Sequence, residues 1–239
     1  MEELKREILE YIRELYDKLG EKDIKIEEII EIREEFVPHA FGGIYRDGER
    51  WVISISPETK VMRSIVYHEA YHIYVKLKYG EDIDRMKDLE VYGSYSEGTA
   101  YLLQLYEELK ERKGSMIERL KELLVRVKKI KPEEAEKILE EEGENLLIKR
   151  DYREVIIITL RRFIYGSLTY NLHLSPFYRP SIYEFEAIVA NRMANKIMEL
   201  FDKNLKRFEN IERALIETLK NYPEYRREII ESFLRHKSV

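Results

Sequence analysis

The sequence predicts an α+β fold that is predominantly helical, with one small β-hairpin and a helical C-terminal half. Three observations predict it. Apolar residues recur three and four apart along most of the chain. One short stretch, Phe41 to Ser56, alternates with period two around an Asp-Gly pair. Several of the helical segments open on Ser or Pro and close on Gly.

Residues 2–19 read as a helix, because Leu4, Ile8, Tyr11, Ile12, Leu15 and Leu19 share a face and Gly20 follows as a C-cap. Residues 24–36 give a divided signal. Ile24, Ile26, Ile30 and Ile32 alternate, while the Glu-rich filling favours helix, so a helix or a mixed segment is expected. Phe41–Ser56 reads as a hairpin turned by Asp47-Gly48, with Trp51, Ile53 and Ile55 alternating with Val52, Ser54 and Ser56. It is either purely structural or an edge that pairs with an extended peptide.

Ser56 as N-cap, Pro57 in the first helical position and Thr59 start a helix that runs to about residue 79 and ends at Gly80. A polar connection, Glu81 to Asp88, leads to Tyr92–Tyr101, which opens a helix reaching about 112. Two charged helices follow, about 115–130 and 132–142, the second opened by Pro132 and closed by Gly143. Their charge density suits a solvated outer hairpin better than a moving lid. Residues 151–171 form a more apolar helix. A long helix over about 181–207 opens on the capping box Ser181–Glu184 and carries Ala187, Ala190 and Ala194 on one side. Charged helices over about 209–221 and 223–236 complete the series. With no repeat, low-complexity tract or linker, residues 1–239 are expected to form one domain.

Composition narrows the function classes. Hydrophobic residues make up 44% and charged residues 37%, the signature of a soluble globular chain with a densely charged surface. The net charge is −5 and Lys and Arg are dispersed among Glu, which argues against a nucleic-acid partner. The absence of Cys excludes disulfides and thiolate metal sites. No signal peptide is evident, and the aliphatic run Val155–Leu160 is far too short to span a bilayer, so no membrane association and a cytoplasmic location are expected. Richness in Lys and Glu with a single Gln, Gln104, resembles hyperthermophile usage.

The stretch that carries chemistry is His68-Glu69-Ala70-Tyr71-His72 inside an apolar run. Side chains four apart share a helix face, so His68 and His72 can converge on one metal ion while Glu69 projects beside it to take a proton from water. Val61, Ile65, His68, His72 and Val75 form one stripe, with Met62, Val66, Glu69, Ile73 and Leu77 next to it. Arg63, Lys76 and Lys78 then mark the wet side. Polar groups on a core-facing stripe are costly unless paired or metal-bound.

Two histidines leave a zinc site one protein ligand short. His173, Glu184, Glu186 and Glu97 compete for the place. Glu97 is favoured because Gly98 and Ala100 keep its helix face small enough to press against the histidine helix. Ser94–Glu97 also matches a capping box, which would employ Glu97 on a backbone donor instead.

His68-Glu69-Ala70-Tyr71-His72 followed by Glu97-Gly98-Thr99-Ala100 resembles the gluzincin group of zinc metallopeptidases, over about residues 50–101. The resemblance implies a zincin-like catalytic core over about 40–112 with a helical remainder over 113–239. It also implies Zn2+ held by His68, His72 and Glu97, Glu69 as general base, and a peptide or protein substrate. Ser96 stands where the aminopeptidase branch has Asn, and Tyr101 where thermolysin-like enzymes have an Asp that orients a zinc histidine. No Gly-x-Met-Glu-Asn segment is present, so an endopeptidase or a peptidase of narrow specificity is expected. In such enzymes a downstream Tyr or His stabilises the oxyanion. Tyr165, Tyr170 and His173 are the candidates for that role, and Glu186 or Glu90 for orienting an imidazole. Two other readings compete: a zinc protein without peptidase activity, and a helical interaction protein carrying the motif by accident.

Overall fold

The structure is a computed structural model that describes residues 2–35, 42–55, 62–89, 91, 93–173 and 181–234, with backbone alone at 171–173 and 181–183. The described residues are mostly helical and include one three-stranded sheet of order β1-β3-β2.

Helix α1 (Glu2–Leu19) forms as its spacing predicts: Ile8, Ile12, Leu15 and Leu19 are buried on one face, and Gly20 takes φ +84 at its end. The divided signal that follows resolves into both alternatives. Ile26–Ile29 make one helical turn, α2, and Ile30–Glu34 form strand β1 with Ile30 and Ile32 inward. Strand β1 runs parallel to β3 (Arg50–Ile55), with Ile30 opposite Trp51 and Glu34 opposite Ile55. Strand β2 (Gly42–Asp47) pairs antiparallel on the other side of β3.

The hairpin turn lies one residue later than expected. Asp47 pairs with Arg50, so the two-residue loop is Gly48-Glu49, and Gly48 supplies the positive φ, +60, that such loops need. Strand β3 has no wet face either. As the central strand it is buried from Trp51 to Ile55, and the Ser54 hydroxyl donates to Glu35 at 3.1 Å.

Helix α3 (Arg63–Tyr79) carries the two histidines and ends at Gly80 with φ +93. The expected start at Ser56-Pro57 lies outside the described residues; Met62 sits in the cap position in an extended conformation, without a side-chain cap. The two-stripe expectation is too narrow. Every residue from Ser64 to Val75 is buried except Glu69, because α3 is enclosed by α1, the sheet and α5 (Glu97–Glu111). The supposed wet side is partly engaged: Arg63 bonds Tyr67 and Glu14, and Lys76 reaches Asp84. Leu77, expected inward, is exposed. Tyr16 of α1 donates to the Ala70 carbonyl at 3.1 Å, which fixes the helix pair at a net worth of about 1 kcal/mol.

The polar connection after Gly80 is more ordered than its sequence implies. Glu81–Asp84 form α4 and Met86–Leu89 a 3-10 turn. Beyond α5, helices α6 (Ser115–Lys128) and α7 (Pro132–Glu142) make the charged hairpin, and α6 is capped from a distance: the buried Glu108 accepts from the Met116 and Ile117 amides. Two 3-10 turns lead into α8 (Arg153–His173), which packs on α9 (Ser181–Phe208) as a second hairpin. Helices α10 (Ile211–Lys220) and α11 (Tyr222–Leu234) fold back over α9. One contiguous hydrophobic core takes in residues from Ile8 to Phe233. No helix among the described residues is long and apolar enough to cross a membrane.

Candidate metal centre

One helical turn separates His68 from His72, and it brings their rings edge to face with centroids 4.8 Å apart and Nε2 atoms 3.1 Å apart. Helix α5 packs against α3 with its first residue, Glu97, level with the two rings. Glu97 Oε2 lies 3.7 Å from each Nε2. The circle through these three atoms has a radius of about 2.0 Å, the length of a zinc–imidazole or zinc–carboxylate bond. Among the described residues this is the one cluster of three or more His, Asp or Glu side chains spaced to hold a metal.

The capping-box alternative for Glu97 is not realised. Ser96 is the cap residue of α5 and makes no side-chain cap bond, and Glu97 Oε2 is buried without a hydrogen-bond partner among the described residues. His68 Nδ1 is likewise buried and unpartnered. Buried polar atoms are rarely left so, and those that are call for an explanation such as an ion. The expected reason for Gly98 needs correcting. A Cβ there would overlap the Tyr225 hydroxyl of α11, so the missing side chain admits α11 rather than α3.

The electrostatics follow from burying two imidazoles and a carboxylate side by side. Burial and the neighbouring His72 push His68 down to about 3. Burial also works against the His72 cation, but Glu97 beside it more than offsets this and the net shift is upward. Glu97 falls to about 2 because His72, His68 and a hydrogen bond from Ser167 outweigh its desolvation. Glu69 is half-buried and forms no hydrogen bond among the described residues. Burial raises it to about 7, with Glu97 adding to the rise while His72 and Lys76 oppose it.

Around this trio lies a second set of contacts. His72 Nδ1 is 2.7 Å from Ser96 Oγ, which donates to Asp84 Oδ2 at 2.8 Å. The Asp84 carboxylate also accepts from the Ser96 amide, the Tyr222 hydroxyl and Lys76 Nζ. From α8, Ser167 lies near both Glu97 and Tyr101 and favours the ionised form of each. Tyr101 sets its ring edge on to His68 at 4.4 Å, so it packs a zinc-ligand candidate from the position where an Asp would hydrogen-bond one. Gln104 donates to Glu108 and leans towards His68.

The remaining candidates fare unevenly. Glu184 is exposed, and Glu186 is fully buried on α9 with neither carboxylate oxygen partnered among the described residues. Burial alone accounts for the Glu186 shift, and no charged group of the centre contributes to it. Orientation of His72 therefore falls to Ser96 and Asp84 instead of Glu186. Glu90, the side chain of His173 and His39 lie outside the described residues. Tyr170 is half-buried on the α8 stripe that includes Phe163 and Ser167, and Tyr165 lies off that stripe. Sequence reasoning missed Asp84, which sits in a polar run, and Ser167, one of several hydroxyls in a largely apolar helix. Only Ser96 left a trace, as the residue next to Glu97. No family model matches this sequence, and no curated protein or solved structure matches it significantly.

Proposed function

We propose that the chain is a zinc-dependent peptidase of gluzincin type, with a zincin-like core and a peptide or protein as substrate. The observation that supports this most is the spacing of His68 Nε2, His72 Nε2 and Glu97 Oε2 about a common centre, with Glu69 on the same helix beside them. Those three residues would hold the ion, and a bound zinc would supply Lewis acidity, polarising a carbonyl and easing loss of a proton from water. Glu69 would accept that proton and return it to the departing amine, a role suited to a carboxyl free of other hydrogen bonds. Ser167 would help to place Glu97, and the Tyr101 ring packs against that of His68. Strand β2 is a sheet edge beside α3, where an extended peptide could add as a further strand. Tyr170 and His173 are proposed as the donors to the developing oxyanion, an interaction worth about 3–4 kcal/mol in acyl transfer.

A second reading, a zinc site that only secures the fold, draws on the depth of the donors, which are 4–8% exposed. Glu69→Gln separates the two. Under the peptidase reading, protein prepared without chelators carries near-stoichiometric zinc, and E69Q keeps that zinc while losing at least a hundredfold in peptide turnover. Zinc in both proteins with no turnover of peptide libraries by either would favour the structural site. Absence of metal from the parent would sink both.

A further inference from the structure

We infer that Asp84, acting through the Ser96 hydroxyl, is the positioning residue that fixes the His72 tautomer and so leaves its Nε2 lone pair free for a metal. The inference rests on the metal-centre reading for its purpose but on hydrogen-bond chemistry for its content. Asp84 is fully buried and is contacted only by donors: the Ser96 amide at 2.9 Å, the Ser96 hydroxyl at 2.8 Å, the Tyr222 hydroxyl at 2.7 Å and Lys76 Nζ at 3.3 Å. A carboxylate so surrounded has no proton to give. The single Ser96 proton therefore points at Asp84, and the Ser96 oxygen can only accept from His72 Nδ1, 2.7 Å away. His72 Nδ1 must then carry hydrogen, so that in the neutral ring Nε2 presents its lone pair towards His68 Nε2 and Glu97 Oε2.

Capping alone does not account for this arrangement. Stabilising the start of α5 would need only the Ser96 amide bond to Asp84, whereas the hydroxyl spans from Asp84 to His72 and leaves the helix uncapped by its own side chain. The acid thus comes from α4, ahead of the ligand-bearing helix. It is held there by Tyr222, 138 residues further along the chain, and by Lys76 from the last turns of α3.

The test uses Ser96→Ala, which removes the hydroxyl and keeps the amide bond, with Ser96→Thr as the conservative rescue. In metal-free protein, the imidazole 15N shifts of His72 should report the Nδ1–H form in the parent and in S96T, and a move towards Nε2–H in S96A. Zinc affinity, measured by competition with a chromophoric chelator, should fall about 10–100-fold in S96A and recover in S96T. The visible spectrum of the Co2+-loaded protein should shift in step. Asp84→Asn should reproduce the tautomer change where it folds. An unaltered His72 tautomer in folded S96A overturns the inference, as does zinc binding by S96A at parental strength. A parent that shows the Nδ1–H form, lost in S96A, but binds no zinc leaves the relay standing and removes the metal centre instead.

Discussion

Glu186 shows what an acid costs when nothing answers it. Both oxygens are buried and have no partner among the described residues, and burial pushes the carboxyl up to about 7 from an ordinary 4.5. The folded state therefore keeps a proton that the unfolded chain has released. Its stability from this group is whole below about pH 4.5 and drains away as pH rises through 7. Glu186→Gln should leave urea unfolding unchanged at pH 4.5 and raise stability by about 1–3 kcal/mol at pH 8. Equal stability of the two proteins at pH 8 would show that the carboxylate has a partner when ionised. At this scale the sequence revealed residues whose chemistry is tied to spacing. His68 and His72 four apart, and Glu97 before a run of small side chains, could be read directly. Ser167 and Asp84 could not, because a hydroxyl or a carboxylate acquires meaning only from what the fold sets against it.

Between elements, the tightest constraint is the approach of α11 to the start of α5. Gly98 leaves room for the Tyr225 hydroxyl, which is itself buried without a hydrogen bond. Gly98→Ala should destabilise the protein by about 1–3 kcal/mol through overpacking, despite the better helix propensity of Ala. Tyr225→Phe in the same chain should recover part of that loss, which thermal unfolding of the single and double variants would reveal. Additive losses would mean that the crowding lies elsewhere. Helices α1, α6 and α7 were legible because each carries its own periodicity and stop signals. Strand β1 was not, since its alternation is brief and its partner, β3, is about twenty residues away. The Asp47-Gly48 signal located the hairpin but misplaced its turn by one residue, because cross-strand pairing fixes register and a dipeptide does not.

Over the whole molecule, the candidate centre draws on α3, α4, α5, α8 and α11 together. An ion that binds only the folded state adds about 4 kcal/mol of stability when its free concentration is a thousand times the dissociation constant. Removing it with a chelator should lower the melting temperature by about 10 °C for a chain of this size, with recovery on adding zinc. A melting curve indifferent to chelator and zinc would contradict a metal centre. The predominantly helical α+β class was readable from periodicity. The enclosure of α3 was not, because a helix surrounded on every side has no polar face from which its neighbours can be counted.

That enclosure bears on how the chain is made. Tyr71 donates to the Leu219 carbonyl, Tyr79 to the Lys220 carbonyl, and Tyr222 closes on Asp84, so these three bonds join α3 and α4 to residues more than 130 positions later. During synthesis at roughly 5–20 residues per second, these three bonds wait about 7 seconds or more after α3 and α4 are made. Translation products that stop before α10 would therefore leave the Tyr71 and Tyr79 hydroxyls without these acceptors, and they would be substrates for chaperones and proteases, not smaller versions of the folded protein.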